Sequence, residues 1–151
     1  IPSGPVIHAE GSVRTNFDNL NTYEVTRKGS KVAVLALGDF YDLGEKTVEA
    51  LSSTLGIEAT LVKPYFASGV DQNLLDNLVK DHDVIVTIED GIIEGGWGQN
   101  IASYLGTSPA RVLNYGVKKA FYDRVNIADL MRESHLEPEL IAADVKQVLG
   151  L

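Results

Sequence analysis

The stretch Val84-Ile85-Val86-Thr87-Ile88-Glu89-Asp90-Gly91-Ile92-Ile93-Glu94-Gly95-Gly96-Trp97-Gly98-Gln99 carries the reading of the fold. Val84 to Ile88 predicts a strand, and the residues from about Gly96 to Leu105 predict a helix. Between them lies an acidic, glycine-rich connection at the C-terminal end of that strand. In open α/β sheets this is where ligands bind.

Outward from this unit, strands and helices alternate. Towards the N-terminus, Tyr23-Glu24-Val25-Thr26 alternates apolar and polar residues, and Arg27-Lys28-Gly29-Ser30 reads as a turn. Val32-Ala33-Val34-Leu35-Ala36-Leu37 follows, apolar on both faces as a strand covered on both sides should be. The short turn predicts these two runs as antiparallel neighbours. Gly44 to Leu55 places Val48, Leu51 and Leu55 at helical spacing, with Gly56 as C-cap. Ala59 to Val62 reads as a short strand ended by Pro64. Asp71 is positioned to cap a helix bearing Leu74, Leu75, Leu78 and Val79.

Towards the C-terminus, Val112-Leu113 is a last short strand. Ile127 to Glu133 reads as a short helix, and Pro138 opens a final one with Leu140, Ile141, Val145, Val148 and Leu149 on its apolar side. Alternation of this kind predicts right-handed crossovers. The expected fold is α/β: a three-layer α/β/α arrangement around a mostly parallel five-stranded sheet with one antiparallel edge strand.

Composition bounds the function. The chain has 151 residues and 44% apolar content, enough for one domain with a real core. It contains no cysteine, which removes disulfides and thiolate chemistry and fits a cytoplasmic setting. Net charge is −8, and no basic stripe marks a nucleic-acid binder. No apolar run approaches the roughly 20 residues that span a bilayer. The opening Ile1-Pro2-Ser3-Gly4-Pro5 has no signal-peptide pattern and reads as an extended linker. Residues 1–20 are expected to be that linker, with at most a short strand at Val6-Ile7, and residues 21–151 the domain.

Candidate chemistry is sparse. Gly95, Gly96, Trp97 and Gly98 at a helix N-terminus could attract an anion. Glu89, Asp90 and Glu94 surround that spot and would repel phosphate, and neither P-loop nor dinucleotide spacing is present. The glycines read more simply as allowing a tight turn and close helix–strand packing. The same three carboxylates could hold a hard cation, but no EF-hand spacing supports it. His8, His82 and His135 lack metal-ligand spacing and read as surface residues. Lys63 is a weak phosphate candidate. Tyr115-Gly116-Val117-Lys118-Lys119-Ala120-Phe121-Tyr122 reads as an unusually aromatic loop after the last strand. Its Tyr115, Phe121 and Tyr122, with Trp97, are candidate interface anchors. No catalytic, cofactor-binding or metal residue is assigned.

These residues carry a family resemblance. Val86-Thr87-Ile88-Glu89-Asp90-Gly91 followed by Gly95-Gly96-Trp97-Gly98 resembles the acidic strand end and glycine loop of transketolase C-terminal domains. Val112-Leu113-Asn114-Tyr115-Gly116-Val117, leading to Phe121-Tyr122-Asp123, is similar to their last-strand segment. Lys63-Pro64 before Asp71-Gln72-Asn73-Leu74-Leu75 resembles the lead into their second helix, although Tyr65 and Phe66 stand where many relatives carry an arginine. Within the family the chain is most similar to the 1-deoxy-D-xylulose 5-phosphate synthases of isoprenoid biosynthesis.

The resemblance implies a larger homodimeric transferase. Its upstream domains would hold thiamine diphosphate and Mg²⁺ and join pyruvate to glyceraldehyde 3-phosphate, while this chain serves assembly. Two other readings stay open. One is a stand-alone subunit of a split transketolase or of an E1 β-type dehydrogenase component. The other is a small-ligand regulatory module using the Gly95–Gly98 turn.

Overall fold

The computed structural model describes residues 15, 16, 18 and 21–151. The expected strand at Val6-Ile7, His8 and most of the linker over 1–20 lie outside the described residues. Five strands form one sheet: β1 Glu24–Arg27, β2 Lys31–Ala36, β3 Thr60–Lys63, β4 His82–Ile92 and β5 Arg111–Val117. Helix α1 (Tyr41–Leu55) follows β2 after a 3₁₀ turn, α2 (Gln72–Leu78) follows β3, and α3 (Trp97–Tyr104) follows β4. Helices α4 (Ile127–Glu133) and α5 (Pro138–Leu149) complete the chain.

The sheet order is β1-β3-β2-β4-β5, with only the β1–β3 pair antiparallel. Helices α1 and α5 cover one face. Val48, Leu51, Ile141 and Val145 pack there on Val32, Val34, Val84, Val86 and Ile88. Helices α2 and α3 cover the other, where Leu75, Leu78, Trp97 and Ile101 pack on Ala33, Leu35, Val62 and Ile85. The two sets alternate along each strand, as period-two geometry requires. The α1 crossover moves one way along the sheet on one face. The α2 and α3 crossovers move the other way on the opposite face, so all three share one hand. This is the expected three-layer α/β/α fold.

The expected adjacency of the first two strands is wrong. β1 is the antiparallel edge strand, but it pairs with β3. Both edges of β2 are taken by parallel partners, β3 and β4. The link between β1 and β2 steps over the start of β3. Gly29 N–H donates to Thr60 Oγ1 at 3.0 Å, Ser30 N–H to the Glu58 carbonyl at 2.9 Å and Lys31 N–H to the Asp81 carbonyl at 2.9 Å. A Cβ at Gly29 would lie 2.0 Å from the Glu58 oxygen, so only glycine fits this crossing. A short turn is therefore compatible with a step across one intervening strand, about 10 Å.

Two strands are longer than their sequence pattern suggests. β4 runs to Ile92, so Glu89, Asp90 and Gly91 belong to a strand, with a register shift between Ile88 and Ile92. β5 runs to Val117, which moves Tyr115 from a loop into the sheet. The caps agree with the sequence: Asp71 Oδ1 accepts from Leu74 N–H at 3.0 Å, and Gly56 closes α1 at φ 66°.

Candidate functional site

The residues singled out around Gly95–Gly98 meet at the C-terminal ends of β4 and β5. Strand alternation decides which side chains face α3. Ile85 packs in that layer, so Thr87 and Glu89, two and four residues on, point the same way. Thr87 is opposite Asn114 in register, and its hydroxyl donates to Asn114 Oδ1 at 2.8 Å. Glu89 is 6% exposed. Its Oε2 accepts from Trp97 N–H at 2.8 Å and its Oε1 from Gly98 N–H at 2.9 Å.

A carboxylate is thus already seated on the first turn of α3. Two charge-assisted hydrogen bonds and the helix dipole hold it there, satisfying amides the helix itself leaves open. The glycines make this approach possible. A Cβ at Gly96 would lie 2.5 Å from the Ile92 carbonyl and 2.6 Å from Glu89 Oε1. One at Gly98 would lie 2.5 Å from Thr87 Oγ1. Gly95 turns the chain at φ +80°, and its N–H donates to Gln99 Oε1 at 2.7 Å.

The other two acidic residues part company with Glu89. Glu94 Oε2 accepts from Lys119 N–H at 2.8 Å, tying the turn to the segment after β5. Asp90 is exposed. Among the described residues no group of three or more His, Cys, Asp or Glu side chains is placed to hold a metal ion.

Trp97 is buried. Its indole N–H donates to Tyr23 Oη at 3.0 Å, and Tyr23 Oη donates to the Gly69 carbonyl at 3.1 Å. Tyr23 N–H donates to Asp71 Oδ2 at 2.8 Å. Tyr23 also packs against the rings of Phe66 and Trp97, with centroids 5.0 and 6.1 Å away. Burial raises the Tyr23 phenol above its ordinary range, against the hydrogen bond from Trp97. These contacts fasten the start of the sheet to α2 and α3. Tyr23 and Asp71 carry no local signal of this role, because their partners lie 46 to 74 residues away in sequence.

Tyr115 is buried on the opposite face and donates to Asp144 Oδ2 at 3.0 Å. Asp144 Oδ2 also meets His135 Nδ1 at 2.7 Å. Burial, then the Asp144 charge, pushes the Tyr115 phenol far up. His82 is buried, against the expectation of a surface histidine. Its Nδ1 donates to the Leu78 carbonyl at 2.8 Å, and its Nε2 meets Thr60 Oγ1 at 2.7 Å. These bonds join the end of α2 to the strands beside it. Lys63 projects its ammonium over the Tyr41 ring, 4.9 Å from the centroid.

Phe121 and Tyr122 do face solvent. Phe121 is 97% exposed, Ile127 74%, Ile92 44%, and Tyr122 and Val125 40% each. Ile92 pairs with Val117 at the end of the sheet, and the other four follow in the next ten residues.

An α/β/α domain whose glycine turn is closed by its own strand-end carboxylate is the class defined by these features. The chain belongs to the family described as transketolase, C-terminal domain, whose model matches residues 21–141. It is 35% identical to a 1-deoxy-D-xylulose-5-phosphate synthase of Pseudoalteromonas translucida (strain TAC 125), over 99% of this chain and 23% of that protein. It is 33% identical to a probable 1-deoxy-D-xylulose-5-phosphate synthase 2, chloroplastic, of Oryza sativa subsp. japonica, over 81% of this chain and 18% of that protein. The chain therefore spans about a fifth of the length of these relatives. Among solved structures it resembles a split gene transketolase described as an inactive β4 tetramer. The TM-score is 0.77 and the identity 25%, covering 88% of this chain and 44% of that one. A Pichia stipitis transketolase shares the fold, with a TM-score of 0.62 at 17% identity.

Among the described residues no helix is long and apolar enough to cross a membrane.

Proposed function

We propose that residues 21–151 form the assembly module of a larger thiamine-diphosphate-dependent transferase, with residues 1–20 as the linker from an upstream domain. Its reaction is the joining of pyruvate to glyceraldehyde 3-phosphate with release of carbon dioxide. The supporting observation is the concentration of exposed apolar side chains, Phe121, Tyr122, Val125 and Ile127, in the one segment that follows β5, whose last residue, Val117, pairs with exposed Ile92. A small acidic domain gains nothing in solubility from such a cluster, so it reads as a contact surface.

The residues present do not fit the cofactor. Its diphosphate needs donors and a metal ion held by oxygen ligands. The α3 N-terminus is filled by Glu89, which would repel a diphosphate. No chemical step is assigned to this chain; the carbanion chemistry belongs to the cofactor and the domains that bind it.

Calorimetric titration of thiamine diphosphate with Mg²⁺ into this chain is expected to give no binding. Tight, Mg²⁺-dependent binding would overturn the reading. The likeness to a split gene transketolase supports a second reading, in which the module belongs to a separately encoded subunit of such an enzyme. A pyrimidine-binding domain upstream in the same reading frame, joined to cofactor-binding residues further upstream, would exclude it.

A further inference from the structure

Between β5 and α4 the chain leaves the body of the domain. Lys118 to Asp129 are twelve consecutive exposed residues, and α4, which begins inside this run, buries none of its own. The backbone is nevertheless held along its length. Lys119 N–H donates to Glu94 Oε2 at 2.8 Å, Tyr122 Oη donates to the Lys118 carbonyl at 2.8 Å, and Asn126 Oδ1 caps α4. Arg124 sits at φ 52°, a left-handed conformation that a residue with a Cβ adopts only at an energetic cost. An arm that is ordered yet unburied has already lost the freedom that binding would otherwise take.

The charge of this arm is opposite to that of the chain. Lys118, Lys119 and Arg124 against Asp123 give residues 118–124 a net charge of +2, and the whole chain is −8, so the rest carries −10. Arg27, Lys46 and Arg132 have carboxylate partners, but none of the three arm cations forms an ion pair with a described residue. Interleaved with them are Phe121, 97% exposed, and Tyr122, with Val125 and Ile127 just beyond.

We infer that this arm docks in an acidic recess with an apolar floor on the cofactor-binding part of the enzyme. The inference rests on the assembly reading above and adds the segment that makes the contact and the chemistry of the surface that receives it. Carboxylates at the rim of the recess meet the three free cations, while Phe121 and Ile127 fill its floor. The same carboxylates are repelled by the −10 of the body, so an acidic partner is steered to the arm and held off elsewhere. A membrane or a nucleic acid is an extended anion and would face that body as well as the arm, so a local acidic protein surface fits better.

The test uses a chimera in which this chain replaces the 23% of the Pseudoalteromonas translucida synthase that it matches. Amide hydrogen exchange over residues 118–129 should be at least about tenfold slower in the chimera than in this chain alone. Lys118→Glu, Lys119→Glu and Arg124→Glu together should abolish that protection, and added salt should weaken it. The urea midpoint of the isolated chain should not change in this triple variant, which separates lost docking from lost folding. An arm that exchanges equally fast in both proteins, while another face becomes protected, would overturn the docking inference and leave the assembly reading standing. Protection that survives the triple variant but is lost in Phe121→Ser would overturn the acidic recess and again spare the assembly reading. No newly protected face anywhere would sink both. A titration of the isolated chain with a synthetic peptide of alternating glutamate and leucine does not depend on the chimera folding. Its amide shifts should concentrate in residues 118–129 and vanish in the triple variant. Absence of shifts there, or tighter binding to phosphatidylserine vesicles than to the peptide, would count decisively against the inference.

Discussion

The Glu89 carboxylate bridges the amides of Trp97 and Gly98, one oxygen to each, at 2.8 and 2.9 Å. This fixes the start of α3 on the end of β4 and satisfies two of the amides that the first turn of the helix leaves open. Glu89→Gln keeps the shape but turns an amide NH₂ towards one of the two backbone donors. Unfolding in urea should show a loss of about 1–3 kcal/mol. An unchanged midpoint would mean that the carboxylate does not hold the turn.

Gly98→Ala tests the same contact from the helix side. Its Cβ would lie 2.5 Å from Thr87 Oγ1 and 3.1 Å from Glu89 Oε1. Relief requires α3 to move off the sheet, at a cost of about 1–3 kcal/mol. Stability equal to the unmodified chain would show the packing to be looser than these distances.

Tyr23→Phe removes the acceptor of the Trp97 indole N–H and the donor to Gly69 while keeping the ring stack. Two buried groups lose a partner, so the expected destabilisation is about 1–3 kcal/mol. The near-ultraviolet circular dichroism of Trp97, the single tryptophan, should change with it. A variant with unaltered stability and spectrum would remove Tyr23 from this network.

Burial, followed by the charge and hydrogen bond of Asp144, raises the Tyr115 phenol above its ordinary 10.0. A raised folded-state value contributes stability that is complete below pH 10 and is lost as pH rises through the folded value. Tyr115 should therefore show tyrosinate absorbance only as the chain unfolds in alkali. Tyr115→Phe should move that unfolding to higher pH. Tyr23, also raised by burial, keeps some alkaline sensitivity in the variant. Ionisation of Tyr115 in the folded chain near pH 10 would contradict the buried pair.

At the acid end, the Ser52 hydroxyl and then Arg27 hold the exposed Glu58 carboxyl below its ordinary 4.5. A lowered folded-state value contributes stability present above about pH 4.5 and lost as pH falls through the folded value. Glu58→Gln should flatten this part of the acid limb, and added salt should weaken the Arg27 contribution in the unmodified chain. An acid limb identical in the variant would show the pair to be without thermodynamic weight.

The sequence by itself determined the layers of this protein. Apolar runs such as Val32 to Leu37 and the helical spacing of Val48, Leu51 and Leu55 are local patterns, set by which side chains must leave water. So were the caps at Asp71 and Gly56, because a cap joins neighbours in the chain. Tertiary structure alone decided the position of β1 beside β3. That choice depends on Gly29 passing the Glu58 carbonyl 29 residues away, which no local pattern encodes. The same holds for the candidate site. The glycine turn was legible, but its closure by Glu89 depended on β4 continuing past Ile88, where strand alternation turns one carboxylate inward and leaves Asp90 outside. Tyr115 and Trp97 looked like surface anchors as aromatic residues beside glycines. The sheet and helix packing buried both and supplied their partners, while Phe121 alone of the aromatic candidates stayed almost fully in solvent.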